Sequence, residues 1–192
     1  MDSPDDGSVL GTLKRAAAAM SRAGVPFALV GSAAAYARGG ALPSHDVDFA
    51  LMEQDVAAAE KALGGAGMEI VHPPEDWLVK AYDGGTMVDL IFRLSGEPVG
   101  PVLLSGAEQL DVAAVTMLVI GATDLVLSWL RAFSEHHANF AVALMHVRPL
   151  REQVDWDRVR AETAGSPFAC AFLVLLEELQ VVSPRPGVRE ET

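Results

Sequence analysis

The sequence predicts an α/β protein of the α+β kind: a small mixed β-sheet with flanking helices, followed by a mainly helical subdomain. Three observations carry that prediction. Short β-rich runs alternate with Ala-rich helical stretches through the first hundred residues. Asp83-Gly84-Gly85 joins two apolar runs in the manner of a β-hairpin, because these residues tolerate the φ > 0 geometry of tight turns. After Gly121 the strand signals stop, and helix-start residues follow one another instead. The predicted organisation is a core over 1–106, a mainly helical subdomain over 107–182 and a disordered tail over 183–192.

The elements follow in order. SVLGTLKRAAAAMSRA (8–23) is an Ala-rich helix closed by Gly24. Pro26 opens the strand FALV, which Gly31-Ser32 breaks. SAAAYAR is a short helix ended by Gly39-Gly40, and DVDFAL is the next strand. EQDVAAAEKAL is an amphipathic helix stopped by Gly64-Gly65, and MEIV is a short strand. Trp77–Tyr82 and Thr86–Leu94 are the hairpin strands. Pro and Gly cluster from Gly96 to Gly106, and 108–120 holds one or two short strands. Four helices follow: TDLVLSWLRAFSEHH, capped by Thr123 or Asp124; roughly Ala138–Val147; one from Asp155; and one from Ser166-Pro167 to near Gln180.

Composition narrows the function. Half of the 192 residues are hydrophobic, enough for a sizeable core, and the formal charge is -12. A general DNA binder needs Lys and Arg to neutralise phosphates, so that class is disfavoured, although a divalent metal could carry the positive charge itself. The single Cys170 sits in an apolar helical pattern and reads as a small buried hydrophobe. The acidic N-terminus, MDSPDDGS, lacks the features of a signal peptide, and the longest apolar stretch, near Val112–Ile120, is too short to span a bilayer. A cytoplasmic protein with no membrane partner is the expectation.

The chemistry concentrates in three carboxylates. Alternate residues of a strand share a face, so Asp46 and Asp48 point the same way, with Cα atoms about 6.5 Å apart. Such carboxylates can converge on one divalent ion or straddle a pair of ions about 3.5–4 Å apart. They equally fit an edge strand with its polar face in water. Asp89, in TMVDLIF, is a third carboxylate surrounded by Val88, Leu90 and Phe92, where a partnerless Asp is costly. Gly31 permits close backbone approach, and Ser32 opens a helix whose amides suit phosphate. Three carboxylates behind a Gly-Ser turn suggest a metal cradle facing a phosphate cradle.

Apolar-Gly31-Ser32, then Asp46-x-Asp48 14 residues on, then Asp89 in an apolar strand, resembles the nucleotidyltransferase superfamily related to DNA polymerase β. The spacing resembles the branch holding abortive-infection toxins and aminoglycoside or lincosamide nucleotidyltransferases. The match covers Pro26 to Leu94, and LREQVDWDRVRAETAGSPFACAFLVLLEEL resembles actinobacterial members of the branch. The resemblance implies transfer of a nucleoside monophosphate from an NTP to a hydroxyl, with Mg²⁺ or Mn²⁺. It implies that Gly31 and Ser32 hold the triphosphate. Asp46 and Asp48 would bind the metals, and Asp89 would bind a metal and help deprotonate the acceptor. A small-molecule acceptor fits the acidic chain better than RNA does. The alternatives are an inactive nucleotide-binding relative and a toxin-antitoxin-type enzyme that modifies tRNA.

The chain also departs from that pattern. Leu42 and Ser44 stand where the branch has an Arg and a Thr; Trp129 replaces a Lys and Asn139 an Asp of the helical half. Trp129 has two readings. It stacks on a base or acceptor ring, or it is core on a stripe with Leu125 and Ala132. Lys80 falls opposite Asp89 if the hairpin turn centres on Gly84-Gly85, which makes it a substitute cation for the nucleotide; a one-residue shift leaves it facing solvent. Arg93 shares a face with Asp89 by strand alternation and is a similar candidate. His45 falls on the face opposite Asp46 and reads as structural; Asp155-Trp156-Asp157 reads as a helix start.

Overall fold

The computed structural model describes residues 8–43 and 45–184. Ser44, the acidic stretch 1–7 and most of the predicted tail (185–192) lie outside the described residues. The chain forms two compact units, 1–121 and 122–192.

In the first unit, helix α1 (Val9–Arg22) begins at Ser8, whose hydroxyl accepts from the Gly11 amide, and buries Leu13, Ala16, Ala17 and Met20 completely. Strand β1 (Ala28–Val30) leads into the short helix α2 (Gly31–Ala37), followed by β2 (Asp46–Ala50). Helix α3 (Val56–Gly65) and strands β3 (Glu69–Val71), β4 (Leu78–Asp83) and β5 (Thr86–Ile91) come next. Strands β6 (Arg93–Leu94) and β7 (Glu97–Pro98) make a separate two-stranded ribbon before helix α4 (Pro101–Ser105). Strands β8 (Glu108–Val112) and β9 (Val115–Val119) complete the unit.

The main sheet has seven strands in the order β3-β4-β5-β2-β1-β9-β8. It is mixed: β2 with β5 and β1 with β9 are parallel, and the other neighbours are antiparallel. Val47, Phe49, Val88 and Leu90 are fully buried, and helix α1 packs across β2, β5 and β9. Phe27 meets Phe49 edge to face, with ring centroids 5.2 Å apart. Asp83, at the end of β4, accepts from Thr12 Oγ1 at 2.7 Å and from Arg15 Nε at 2.9 Å, so the hairpin is tied to α1 through a charged group. The sheet ends in β3, three residues long, and in β8, whose Glu108, Gln109 and Asp111 are exposed.

Two expectations are corrected here. Residues 108–119 belong to the sheet and not to the helical subdomain, so the chain divides after Gly121 and not at 106. Arg38, at the end of α2, explains part of the attachment. It is buried, donates Nε to the Ile120 carbonyl at 2.8 Å, and pairs with Glu108 at 3.2 Å, fastening α2 to the ends of β8 and β9. The second correction concerns Arg93. The amides of Phe92 and Arg93 both donate to the Trp77 carbonyl, at 3.1 and 3.3 Å, so two residues oppose one as in a β-bulge. The alternation that would put Arg93 beside Asp89 stops there, and Arg93 enters the small ribbon instead.

The second unit contains α5 (Ala122–Arg131), α6 (Phe140–Leu150), α7 (Trp156–Thr163) and α8 (Pro167–Glu178). Asn139, Asp155 and Ser166 each cap the helix that follows, accepting from the amides of Val142, Arg158 and Ala169. Asp155-Trp156-Asp157 is therefore a helix start. Phe133, Phe140 and Phe172 pack as a cluster with centroids 5.3–5.6 Å apart. Arg158 pairs with Asp124 at 2.6 Å and with Glu162 at 2.7 Å, linking α5 to α7. Among the described residues, no helix is long and apolar enough to cross a membrane.

Candidate functional site

The register of the first unit's sheet assembles one row of side chains across five strands. Val30 pairs with Asp48, Asp48 with Asp89, Asp89 with Lys80, and Lys80 with Val71. Paired residues share a face, so Asp48, Asp89 and Lys80 stand side by side, and Asp46 lies on the same face two residues before Asp48. The turn at Gly84-Gly85 sets this register, with Asp83 opposite Thr86. Asp89 thus stands on the face shared by the aspartate pair. Val47, Phe49, Val88 and Leu90 alternate onto the other face and are buried.

The Gly31-Ser32 turn abuts this row. Gly31 has φ 61°, and a Cβ placed on it would lie 1.9 Å from Asp48 Oδ2. Only glycine permits both this backbone and this approach. The Ser32 hydroxyl is buried and makes no hydrogen bond among the described residues.

Electrostatics follow from the crowding. Burial, and then the charges of Asp46 and Asp89, push the Asp48 carboxyl up to about 8, against the lowering influence of Lys80. Burial also raises Asp89, opposed by its hydrogen bond and charge contact with Lys80. Lys80 Nζ donates to both Asp89 oxygens, at 3.0 and 3.3 Å, and lies 3.3 Å from the Met87 sulfur.

These residues fit a hard divalent cation. The donors are carboxylate oxygens, the ligand type such ions prefer, and a positive ion would relieve the like-charge crowding that raises Asp48. Among the described residues, however, no three His, Cys, Asp or Glu side chains are already gathered as a metal-ligand set. The strands supply a common face, and Asp89 is turned to Lys80.

No protein-family model and no curated protein sequence matches the chain. Solved structures do. The solution structure of the antibiotic-resistance factor ANT(2'')-Ia aligns over 91% of this chain and 98% of its own, with TM-score 0.62 and 13% identity. The crystal structure of ANT(2'')-Ia in complex with adenylyl-2''-tobramycin covers 86% and 97%, with TM-score 0.58 and 14% identity. The lincomycin-bound lincosamide antibiotic adenylyltransferase LnuA covers 74% and 96%, with TM-score 0.55 and 12% identity.

The chain has the nucleotidyltransferase fold. At these identities the likeness concerns the fold alone. Within the nucleotidyltransferase fold, the remaining candidates are distributed as follows. Arg93 lies in the small ribbon, with a buried Nε that has no hydrogen-bond partner among the described residues. His45 is exposed at the start of β2, and Leu42 is exposed as well. Trp129, on α5 of the second unit, is half-buried. Its ring lies against His146, with centroids 5.4 Å apart and planes at 34°. Leu125 is fully buried, but Ala132 lies just past the end of α5 and is exposed, so the expected core stripe stops short. Asn139 is committed to the α6 cap.

Two contributors to the two neighbourhoods were not foreseen in the sequence, and one foreseen residue, Gly31, has an added role. Met87 sits against Lys80; its place opposite Asp46 and Tyr82 follows once the hairpin register is set. His146 packs on Trp129, and nothing in ALMHVRP distinguishes it beforehand. Gly31 makes room for Asp48 itself, a role that a Gly-Ser turn alone does not announce.

Proposed function

We propose that the protein transfers a nucleoside monophosphate from an NTP to a hydroxyl of a small-molecule acceptor, with Mg²⁺ or Mn²⁺ as cofactor. One observation carries this reading: Asp46, Asp48 and Asp89 share a sheet face, against the turn where Gly31 admits the Asp48 carboxylate and Ser32 holds an unsatisfied hydroxyl. The antibiotic adenylyltransferases that share the fold support a small-molecule acceptor.

Asp46, Asp48 and Asp89 would hold the metal, which when bound supplies positive charge to the phosphoryl oxygens. Gly31 lets the triphosphate approach the backbone, and Ser32 Oγ donates to a phosphate oxygen. Asp89 accepts the proton of the acceptor hydroxyl. The hydroxyl oxygen bonds to the α-phosphorus as the bond to pyrophosphate breaks, and pyrophosphate leaves in line. Lys80 stands beside this cluster as a cation near the phosphates.

The test is incubation of the protein with each α-labelled NTP and Mg²⁺, followed by separation of small-molecule, tRNA and protein pools. Label in small molecules, abolished in Asp48→Asn, supports the reading. Label on tRNA replaces the acceptor class with the toxin-type one. Metal-dependent NTP binding with no transfer to any pool identifies a nucleotide-binding relative without activity.

A further inference from the structure

We propose that Lys80 is a built-in competitor for the metal: it holds Asp89 by both oxygens and thereby lowers the affinity of the acidic row for a divalent ion.

The inference rests on the metal-binding reading above and adds a role for a residue outside the carboxylate set. Its first support is register. Lys80 and Asp89 are direct cross-strand partners in an antiparallel hairpin pinned by the Asp83–Thr86 pair, so their proximity is fixed by backbone pairing and not by a side-chain excursion. Its second is geometry. Nζ reaches both carboxylate oxygens, at 3.0 and 3.3 Å, and so engages the same two atoms that a metal at Asp89 would use. Its third is enclosure. The two side chains are only 22% and 12% exposed, so the pair is weakly screened and neither partner is free to exchange it readily for water. Met87 closes one side of the ammonium, with its sulfur 3.3 Å from Nζ.

An ion entering at Asp46 and Asp48 therefore shares Asp89 with an ammonium group or displaces it. Both routes oppose binding, one by like-charge repulsion at short range and the other by loss of a partly buried ion pair. A lysine serving only to stiffen the hairpin would change stability and leave metal affinity alone.

The experiment measures Mn²⁺ binding alone, without nucleotide, by titration calorimetry on the full chain. The proteins are the wild type, Lys80→Met, Lys80→Gln, Lys80→Arg and Asp48→Asn, each checked for folding by circular dichroism. The expected result is Mn²⁺ binding that is tighter than wild type by about tenfold or more in Lys80→Met and Lys80→Gln, and near wild type in Lys80→Arg. Unchanged or weaker binding in the two neutral variants overturns the proposal. If a neutral variant is unfolded without metal, refolding at Mn²⁺ concentrations below the wild-type Kd supports it, and failure to refold there overturns it. Asp48→Asn separates the two levels of inference. If wild-type binding is lost in Asp48→Asn but unaffected by neutralising Lys80, the competitor role alone fails. If neither the wild type nor the neutral Lys80 variants bind Mn²⁺, or if Asp48→Asn binds it as the wild type does, the metal-site reading itself fails.

Discussion

A Cβ on Gly31 would stand 1.9 Å from Oδ2 of Asp48, so the turn after β1 and the carboxylate on β2 occupy mutually exclusive space for any residue but glycine. Gly31→Ala is therefore expected to act twice. The left-handed backbone costs about 1–2 kcal/mol for a residue with a Cβ, and Asp48 must leave its place. Chemical denaturation should report the first effect. Calorimetry with Mn²⁺ should report the second as binding weakened at least about tenfold. Undiminished Mn²⁺ binding in a folded Gly31→Ala protein would show that the position of Asp48 is not needed.

Asp46→Asn removes a charge from the same sheet face, two residues before Asp48, while keeping shape. Its circular dichroism spectrum should match wild type, and nucleotide binding in the presence of Mg²⁺ should be lost. Equal calorimetric binding by mutant and wild type would falsify a metal role for Asp46.

The acidic row also predicts a pH dependence of stability. The Asp48 carboxyl is raised from 3.8 to about 8, so between those values the folded protein binds more protons than the unfolded chain. Stability in EDTA should therefore fall as pH rises across that window. Asp48→Asn should flatten the slope, and excess Mg²⁺ should offset it by stabilising the ionised row. Thermal melts at a series of pH values, with and without Mg²⁺, provide the comparison. A wild-type slope unchanged by Asp48→Asn would contradict this account.

Trp129 and His146 form a second testable pair. Burial lowers the His146 pKa below 6.5, so the fold favours the neutral ring. The stability this contributes is present above 6.5 and lost as pH falls through that value toward the folded pKa. Trp129→Ala should uncover the imidazole and return its pKa toward 6.5, as read by NMR titration. It should also destabilise the protein by about 3 kcal/mol or less, the low end for a large aromatic because the indole is only half-buried. A bound nucleotide or acceptor that stacks on the indole would add a binding loss of about 1–3 kcal/mol in the same mutant. A variant unaltered in melt, titration and binding would exclude both roles.

Much of this was readable from residues because the relevant signals are local. The period of two in Asp46-Val47-Asp48 gives a shared face, and Asp83-Gly84-Gly85 sets the turn that puts Lys80 opposite Asp89. The failures arise where local chemistry is silent. The β8–β9 hairpin turns through Ala113 and Ala114, at φ 50° and 67°, a conformation that alanine rarely adopts and does not advertise. One or two short strands are legible over 108–120, but without an Asn or Gly turn nothing marks them as a hairpin of the main sheet, and the expected boundary at 106 groups them with the helical half. The bulge at Phe92-Arg93 is equally unmarked, and one extra residue is enough to end the alternation on which the Arg93 assignment relied. The closeness of Gly31 to Asp48 joins segments 17 positions apart and depends on the β1–β2 pairing.

The two margins of the seven-stranded sheet bear on how the protein behaves when concentrated. Each margin exposes unpaired amides and carbonyls, a template on which further chains can add. At one end β3 offers only three residues of template, and at the other Glu108 and Asp111 place carboxylates along β8. A second copy approaching β8 in antiparallel fashion would bring like charges together at short range, in a chain already carrying a net charge of -12. The two outermost strands thus disfavour edge-to-edge addition of further copies, and crowding or high expression should leave the chain dispersed.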